Sequence, residues 1–350
     1  MPMTGSNWRM GLRLALGCAV LLGGCLEREE TIRVSRDGSV DMKVVIVGDP
    51  EDFATGDALP DQRTGWRVQE ELRTKDDGKE ELERIAEQRF RAGEPLPDSY
   101  ADPRGPNYDT ALRFPTTLAI ERRPDGTYYH FRRVYEGRPN ARYVHYQQLF
   151  DEKLKQFAGK PPETLTDEER RDFVGLLRTV ESLKRAEYVA AGAAALEEQW
   201  PQHYGLLLRQ ALLDHFARSD MEPLLSLLAQ PQSAERDAEI DRLGREFLGG
   251  IPTVLTNQLK LLRVPPAEVE AFFAAMEEEE ARRAVTEDLS DEKWEVHVVM
   301  PGEIVAHNAT AVDGRVATWL FDGRALMDRD QVLMITSRVA AHAPPRDDGE

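Results

Sequence analysis

The chain has 350 residues, enough for two domains of ordinary size. Its 63 acidic side chains outnumber the 45 lysines and arginines and give a formal net charge of −18. This balance argues against nucleic-acid binding, which needs clustered cations for the phosphate backbone. Only two cysteines are present, which excludes a disulfide-rich scaffold and a zinc site built from cysteines.

The first segment has the pattern of a secretory signal peptide. Arg9 and Arg13 precede a short apolar run that ends at Gly23. The run is too short to cross a hydrocarbon core of about 30 Å as a helix. A basic start followed by a short apolar stretch is typical of a cleaved signal, and we predict one over residues 1–24.

The end of this run, Leu22-Gly23-Gly24-Cys25, resembles the bacterial lipobox. The resemblance implies cleavage between Gly24 and Cys25, a diacylglyceryl group on the Cys25 thiol, and acylation, for example by palmitate, of the freed amino group. An ordinary secreted protein with a chance cysteine is the alternative. Cys18 would leave with the signal, so Cys25 would be an unpaired thiol in an oxidising compartment, which lipidation explains. We therefore expect the acyl chains to attach the protein to a membrane of the cell envelope, facing the periplasm or the exterior.

Residues 25–140 show the alternation of polar and apolar residues that is typical of strands. The clearest case is a hairpin at Asp37-Gly38, after which Val40, Met42 and Val44 face one side. Further strands are predicted near residues 66–73, 116–121 and 127–135. Residues 79–91 are also predicted to be a strand, with a helix as the alternative because their helix propensity is high. Within residues 127–135 we expect Arg132 and Arg133 to lie on a solvated face, with an anion site as the alternative.

Residues 141–290 change to the helical period of 3.6 residues. Thr166 and Glu169 form a capping box at the start of one predicted helix. Six phenylalanines lie in apolar stripes that we expect to be core, with a groove for an acyl chain as the alternative, and they are Phe150, Phe157, Phe173, Phe216, Phe247 and Phe272. The same reasoning includes Leu206 in a stripe and places Glu277–Glu280 on a solvated helix face.

Residues 291–342 return to strand alternation, beginning with Trp294, Val296 and Val298, and residues 343–350 are predicted to be a disordered tail. β-structure on both sides of a helical block predicts an insertion, since chain ends at an insertion site lie close together. The predicted fold class is α+β: an antiparallel β-rich domain built from the N- and C-terminal segments and interrupted by an all-α insertion.

The lipobox and the segment Ile32–Val40, with Met42 and Val44, resemble the opening of LppM-type bacterial lipoproteins. Turn and strand residues near the end extend the resemblance, and these are Pro301, Gly302, Asn308, Gly314 and Trp319. It implies a cell-envelope lipoprotein with a β-rich domain that contacts lipids, and it does not imply catalysis. The helical block of residues 141–290 departs from the compact pattern of that family.

Motifs that would indicate an enzyme are absent from the sequence: there is no H-E-x-x-H, no G-x-S-x-G and no phosphate-binding G-x-x-x-x-G-K. None of the seven histidines lies within four positions of another, so no local metal-ligand pair exists. We expect no catalytic residue, no metal and no cofactor. The predicted function is that of a structural or interaction module on the envelope, with an envelope protein or a lipid as its partner. Binding of a lipid or other apolar ligand is the first alternative, which a continuous apolar cavity would favour, and an unrecognised enzyme is the second.

Overall fold

A computed structural model describes residues 26–50, 52–54, 57–75, 78, 80–105, 108–157, 160–196 and 203–341. The predicted signal peptide, Gly24, Cys25 and the predicted tail at 343–350 lie outside these residues. The described chain divides into two compact units. A β unit joins residues 26–139 to residues 284–341, and a helical unit spans Asn140–Arg283.

The β unit contains strands from both ends of the chain. They are β1 (Glu27–Val34), β2 (Val40–Gly48), β3 (Arg67–Thr74), β4 (Glu80–Phe90), β5 (Thr116–Arg123), β6 (Gly126–Tyr135), β7 (Lys293–Val299), β8 (Glu303–His307), β9 (Ala311–Asp313), β10 (Val316–Asp322) and β11 (Gln331–Ala340). One sheet has the order β3-β4-β2-β1-β7-β10-β9, and a second has the order β5-β6-β11-β8.

The first hairpin forms as the sequence predicts. Gly38 has a φ of 87°, which a residue without a Cβ adopts at little cost. The Asp37 carboxylate accepts hydrogen bonds from the backbone N–H and the hydroxyl of Ser39, which close the turn. Along β2, every second residue from Val40 to Ile46 is buried, which confirms the predicted inward face.

Two strand pairs join the N- and C-terminal segments and confirm the predicted fold class. β6 pairs with β11 in antiparallel register, and β1 pairs with β7 in parallel register. The parallel pair departs from a purely antiparallel sheet. Antiparallel neighbours are commonly joined by a tight turn, whereas parallel neighbours need a long crossover. Here the connection from β1 to β7 includes the whole helical insertion.

The core of the β unit is aromatic and closely packed. Trp294 and Phe321 stack with ring centroids 5.5 Å apart, and Tyr135 meets Phe321 edge-on at 5.3 Å. The long loop between β4 and β5 contributes Tyr100 and Phe114, both buried. The loop therefore closes the core, although its described residues form no regular strand.

The helical unit follows the predicted change of period. Its helices are α1 (Val144–Leu154), α2 (Asp167–Ala194), α3 (His203–Arg218), α4 (Glu222–Leu228), α5 (Ala234–Gly249), α6 (Ile251–Leu261) and α7 (Pro266–Leu289), of which α7 ends within the β unit. The capping box at the start of α2 is confirmed, with Thr166 and Glu169 each bonding the backbone of the other.

Most of the predicted helical stripes are core. Phe157, Phe173, Phe216 and Phe272 are buried, whereas Phe150 and Phe247 are partly buried. Leu206 is 66% exposed, so its assignment to a stripe is wrong. It lies two positions before the buried Leu208, about 200° around the helix, on the opposite face.

The expectation of a fully solvated face at Glu277–Glu280 is also wrong for two of the four residues. Glu279 accepts a hydrogen bond from the Tyr143 hydroxyl, and Glu280 pairs with Arg185 at 2.7 Å. Their side chains are 14% and 23% exposed. Consecutive helical positions point in different directions, so two of the acids turn toward neighbouring helices.

Candidate functional site

A pocket of about 310 Å³ lies within the helical unit, between α2, α3, α4 and α5. Side chains from all four helices and from the link between α3 and α4 line it. They are Leu177, Arg178, Glu181, His215, Ser219, Asp220, Met221, Pro223, Leu224, Leu243, Gly244, Glu246 and Phe247.

The local sequence explains why the wall opens here. Helix α3 ends at Arg218, and Ser219, Asp220 and Met221 carry the chain to a short new helix. Pro223 lies in the first turn of α4, where a residue without an N–H leaves no intrahelical bond unmade. The chain therefore changes direction beside α2 and α5, and the helices do not close on each other at this point.

Most of the pocket wall is apolar. Leu177 and Leu224 are almost fully buried and also belong to the packed cluster that includes Phe173. Phe247 closes another side, with its ring edge-on to Phe216 at 4.9 Å between centroids. The flexible side chain of methionine adapts well to apolar ligands, and Met221 lines the pocket.

The carboxylates of the pocket already have partners. Glu181 pairs with Arg185 at 2.6 Å, and Glu246 pairs with Arg242 one turn earlier on α5. Asp220 accepts a hydrogen bond of 3.0 Å from the backbone N–H of Glu222. Two of the three acidic side chains are thereby balanced by a neighbouring arginine.

The pocket also contains an arginine and a histidine with unused donors or acceptors. Arg178 is half-buried and has no hydrogen bond or ion pair with any residue that the structure describes. His215 lies 3.2 Å from the carbonyl oxygen of Phe247 through Nε2. A carbonyl only accepts, so Nε2 carries the hydrogen, and Nδ1 is the acceptor of the neutral ring.

The β unit contains buried charge that the sequence interpretation assigned to the surface. Arg133 is 0% exposed, so the expectation that it lies on a solvated face is wrong, whereas Arg132 is exposed as predicted. The Arg133 guanidinium pairs with the buried carboxylate of Glu30 and donates to Thr116 Oγ1 at 2.8 Å and to the Tyr135 hydroxyl at 3.2 Å. Because the partner is a buried carboxylate of the protein itself, Arg133 has a structural role and links β6 to β1, the strands that carry the two side chains.

A second buried ionic centre surrounds Arg28, whose Nη2 donates to Glu292 at 2.9 Å. Asp57 lies 3.8 Å from Nη1 of the same guanidinium. Burial raises the pKa of Glu292 to about 7, and the nearby charges of Asp288 and Asp57 act in the same direction. Burial likewise raises the pKa of Asp288 to about 7, reinforced by neighbouring acids and opposed by Arg28.

Neither buried ionic centre was predicted from the sequence. The alternation of residues along β6 nevertheless indicates that Arg133 points inward. Arg133 shares its phase with Tyr129, Phe131 and Tyr135, all of which are buried. Because successive strand residues alternate between faces, a charged residue in phase with three aromatic residues is expected to point inward. The pocket carries no comparable signal, since its lining comes from four helices.

The remaining predictions from the sequence concern lipid attachment, metal ions and the membrane. Cys25 and Gly24, the predicted lipid-attachment and cleavage residues, lie outside the described residues. Within the described residues, no group of three or more His, Cys, Asp or Glu side chains is arranged to hold a metal ion. In that same part of the chain, no helix combines the length and the apolar character that crossing a membrane requires.

No known protein family matches the sequence, and no curated protein matches it. Among solved structures, the NMR structure of the folded domain of LppM from Mycobacterium tuberculosis is similar over 91% of this chain and 93% of that chain. The TM-score is 0.28 and the sequence identity is 9%. A structural similarity this low does not support a conclusion about fold or function. The resemblance to LppM-type lipoproteins stays a prediction from the sequence motifs.

Proposed function

We propose that the protein is a lipid-anchored component of a bacterial cell envelope that binds an apolar small molecule in the pocket of its helical unit. The observation that carries the proposal is the pocket of about 310 Å³ between α2, α3, α4 and α5.

The size and lining of the pocket support a ligand rather than a packing defect. Its volume is about ten times the roughly 30 Å³ that one water occupies in the liquid. It also falls in the range of about 300–1,000 Å³ that is usual for small-molecule sites. A predominantly apolar wall with a small number of polar groups is the ordinary composition of such sites.

The anchor is proposed from the sequence motif at Leu22–Cys25. Removal of residues 1–24 takes away Arg9 and Arg13 and makes the acidic chain more acidic. Anionic lipid head groups repel such a chain. Attachment then depends on the acyl chains, of which two hold far more firmly than one.

A titration with the neutral apolar dye Nile red tests the ligand proposal on the chain that begins at Leu26. We expect saturable enhancement of fluorescence at one site. Leu243→Trp, which fills the pocket, is expected to abolish it. Leu213→Trp is the matched control, because Leu213 is 37% exposed and does not line the pocket.

The result that contradicts the proposal is dye binding that is unchanged in a folded Leu243→Trp protein, or no saturable binding in the parent chain. That second result favours a structural or interaction module, the function first predicted from the sequence. The closely packed aromatic core around Trp294 and Phe321 is the observation that supports this alternative.

A further inference from the structure

The charge distribution of the pocket indicates which apolar ligand it takes. The three lining carboxylates already accept hydrogen bonds or ion pairs within the protein. Arg178 is the lining cation, and it has no such partner among the described residues. A guanidinium that is partly removed from water and lacks an anion is a ready partner for a ligand carboxylate, which it binds through two parallel hydrogen bonds.

His215 adds a second polar group to the same pocket. Its Nε2–H is directed to the carbonyl of Phe247, and its ring stacks on the Phe247 ring with an interplanar angle of 25°. These two contacts hold the ring in place. The structure shows no hydrogen bond to Nδ1 within the described residues, so Nδ1 is free to accept from a hydroxyl group in the pocket.

The volume restricts the apolar part of the ligand. About 310 Å³ is at the lower end of the range for small-molecule sites, so the pocket suits one acyl chain and is too small for the two chains of a phospholipid. Leu177, Met221 and Leu224 form apolar wall against which such a chain would lie.

We infer that the pocket binds a single-chain fatty acid, with the acyl chain against the apolar wall and the carboxylate paired with Arg178. This inference rests on the proposed function and narrows its ligand to an anionic amphiphile. The association is non-covalent, and the ligand carboxylate gives Arg178 the partner that the protein itself does not provide.

Photolabelling of the full chain in its own membranes tests the inference. Washed bacterial membranes that contain the protein are incubated with a photoreactive, alkyne-tagged palmitic acid or with the corresponding alcohol, and then irradiated. Label on the peptides that line the pocket is measured by mass spectrometry as a function of probe concentration. We expect the acid to half-saturate the pocket at a concentration at least about tenfold lower than the alcohol, the usual effect of one charge-assisted hydrogen bond.

The variant Arg178→Gln separates the head-group contact from the apolar contact. It should raise the half-saturating concentration of the acid by about tenfold and leave that of the alcohol unchanged. Unchanged labelling by the alcohol also shows that the variant is folded. Arg171→Gln is the matched control, because Arg171 is an exposed arginine on the same helix and does not line the pocket.

Each contrary outcome has a separate meaning. Equal labelling of the pocket by acid and alcohol would overturn the anionic ligand and leave the proposed function standing. An unchanged preference for the acid in Arg178→Gln would overturn the role of Arg178. Absence of saturable pocket labelling by either probe would overturn the inference and the proposed function together.

Discussion

Replacement of Arg133 by methionine should destabilise the β unit strongly, because it leaves the Glu30 carboxylate buried without its cation. The two side chains are 0% and 1% exposed. Removing one member of a buried pair typically costs about 3–5 kcal/mol, since the remaining charge cannot recover its hydration. Glu30→Leu should cost a similar amount, because it leaves the guanidinium unpaired.

The double variant Arg133→Met/Glu30→Leu should be far less damaged than the two single variants suggest. It removes both charges, and a well-packed apolar pair can replace a buried ion pair at little cost. Two hydroxyls lose the bond from Arg133: that of Tyr135, and that of Thr116, which still donates to the carbonyl of Phe114. An unsatisfied buried hydroxyl costs about 1–3 kcal/mol. The double variant should therefore be more stable than the sum of the single effects predicts, by about 3 kcal/mol or more.

Urea unfolding followed by tryptophan fluorescence measures these differences in the chain that begins at Leu26. With Trp200→Phe as the background, the remaining tryptophans, Trp66, Trp294 and Trp319, all lie in the β unit. Fluorescence then reports the unfolding of that unit. For a unit of this size, a loss of 1 kcal/mol lowers Tm by about 2–4 °C, so the single variants should also melt roughly 6–20 °C earlier.

Arg132→Met is the matched control, because Arg132 is the exposed neighbour on the opposite face of β6. A surface substitution of this kind changes stability by about 0.5 kcal/mol or less. The reasoning is refuted if Arg133→Met costs no more than Arg132→Met, or if the double variant loses the full sum of the two single effects.

Three further predictions concern the anchor, the helical core and the pH dependence of stability. Cys25→Ser should release the protein from the membrane fraction or leave it unprocessed, and continued detergent-dependent extraction at parental levels would contradict the lipid anchor. Phe272→Ala should lower the stability of the helical unit by about 3–5 kcal/mol in thermal melts, because Phe272 is 0% exposed. Phe247→Ala should lower it less, because that ring is half-buried at the pocket. Equal losses of stability in the two variants would contradict this prediction. The pKa values of Asp288 and Glu292 are raised to about 7 in the folded chain, against about 4 when unfolded. The folded state therefore binds more protons between about pH 4 and 7, and the stability that these groups contribute at low pH is lost as pH rises through 7. The urea concentration at the unfolding midpoint should fall from pH 5 to pH 8, and it should fall less in Asp288→Asn. An equal fall in the parent chain and in Asp288→Asn would contradict the raised pKa of Asp288.

Much of the local structure was predictable because it depends on short-range chemistry. The turn at Asp37-Gly38 needs only a glycine at positive φ and a carboxylate beside it. The capping box at Thr166 depends on residues three positions apart. The change of period between the two units also predicted the α+β class, since each period requires its own backbone geometry.

The burial of individual charged residues is harder to predict, because the type of a side chain and its position on a strand face can point to different surroundings. An arginine is usually exposed, yet the strand position of Arg133 matches that of buried aromatic residues. Arg28 and Glu30 are likewise charged residues that are buried in phase with Ile32 along β1. In each case the alternation of strand faces indicates that the charged side chain is buried. It does not indicate which oppositely charged residue the side chain pairs with.

The sequence by itself determined most of the elements, the inward faces of many of them, the fold class and the candidate lipid-attachment residue. Only the tertiary structure decided that β1 and β7 run parallel, that Arg133 meets Glu30, and that a pocket lies beside Arg178. The physical reason is the range of the interactions. A turn, a cap or an amphipathic face depends on residues that are close along the chain, whereas ion pairs and cavities depend on side chains that folding brings together from distant segments.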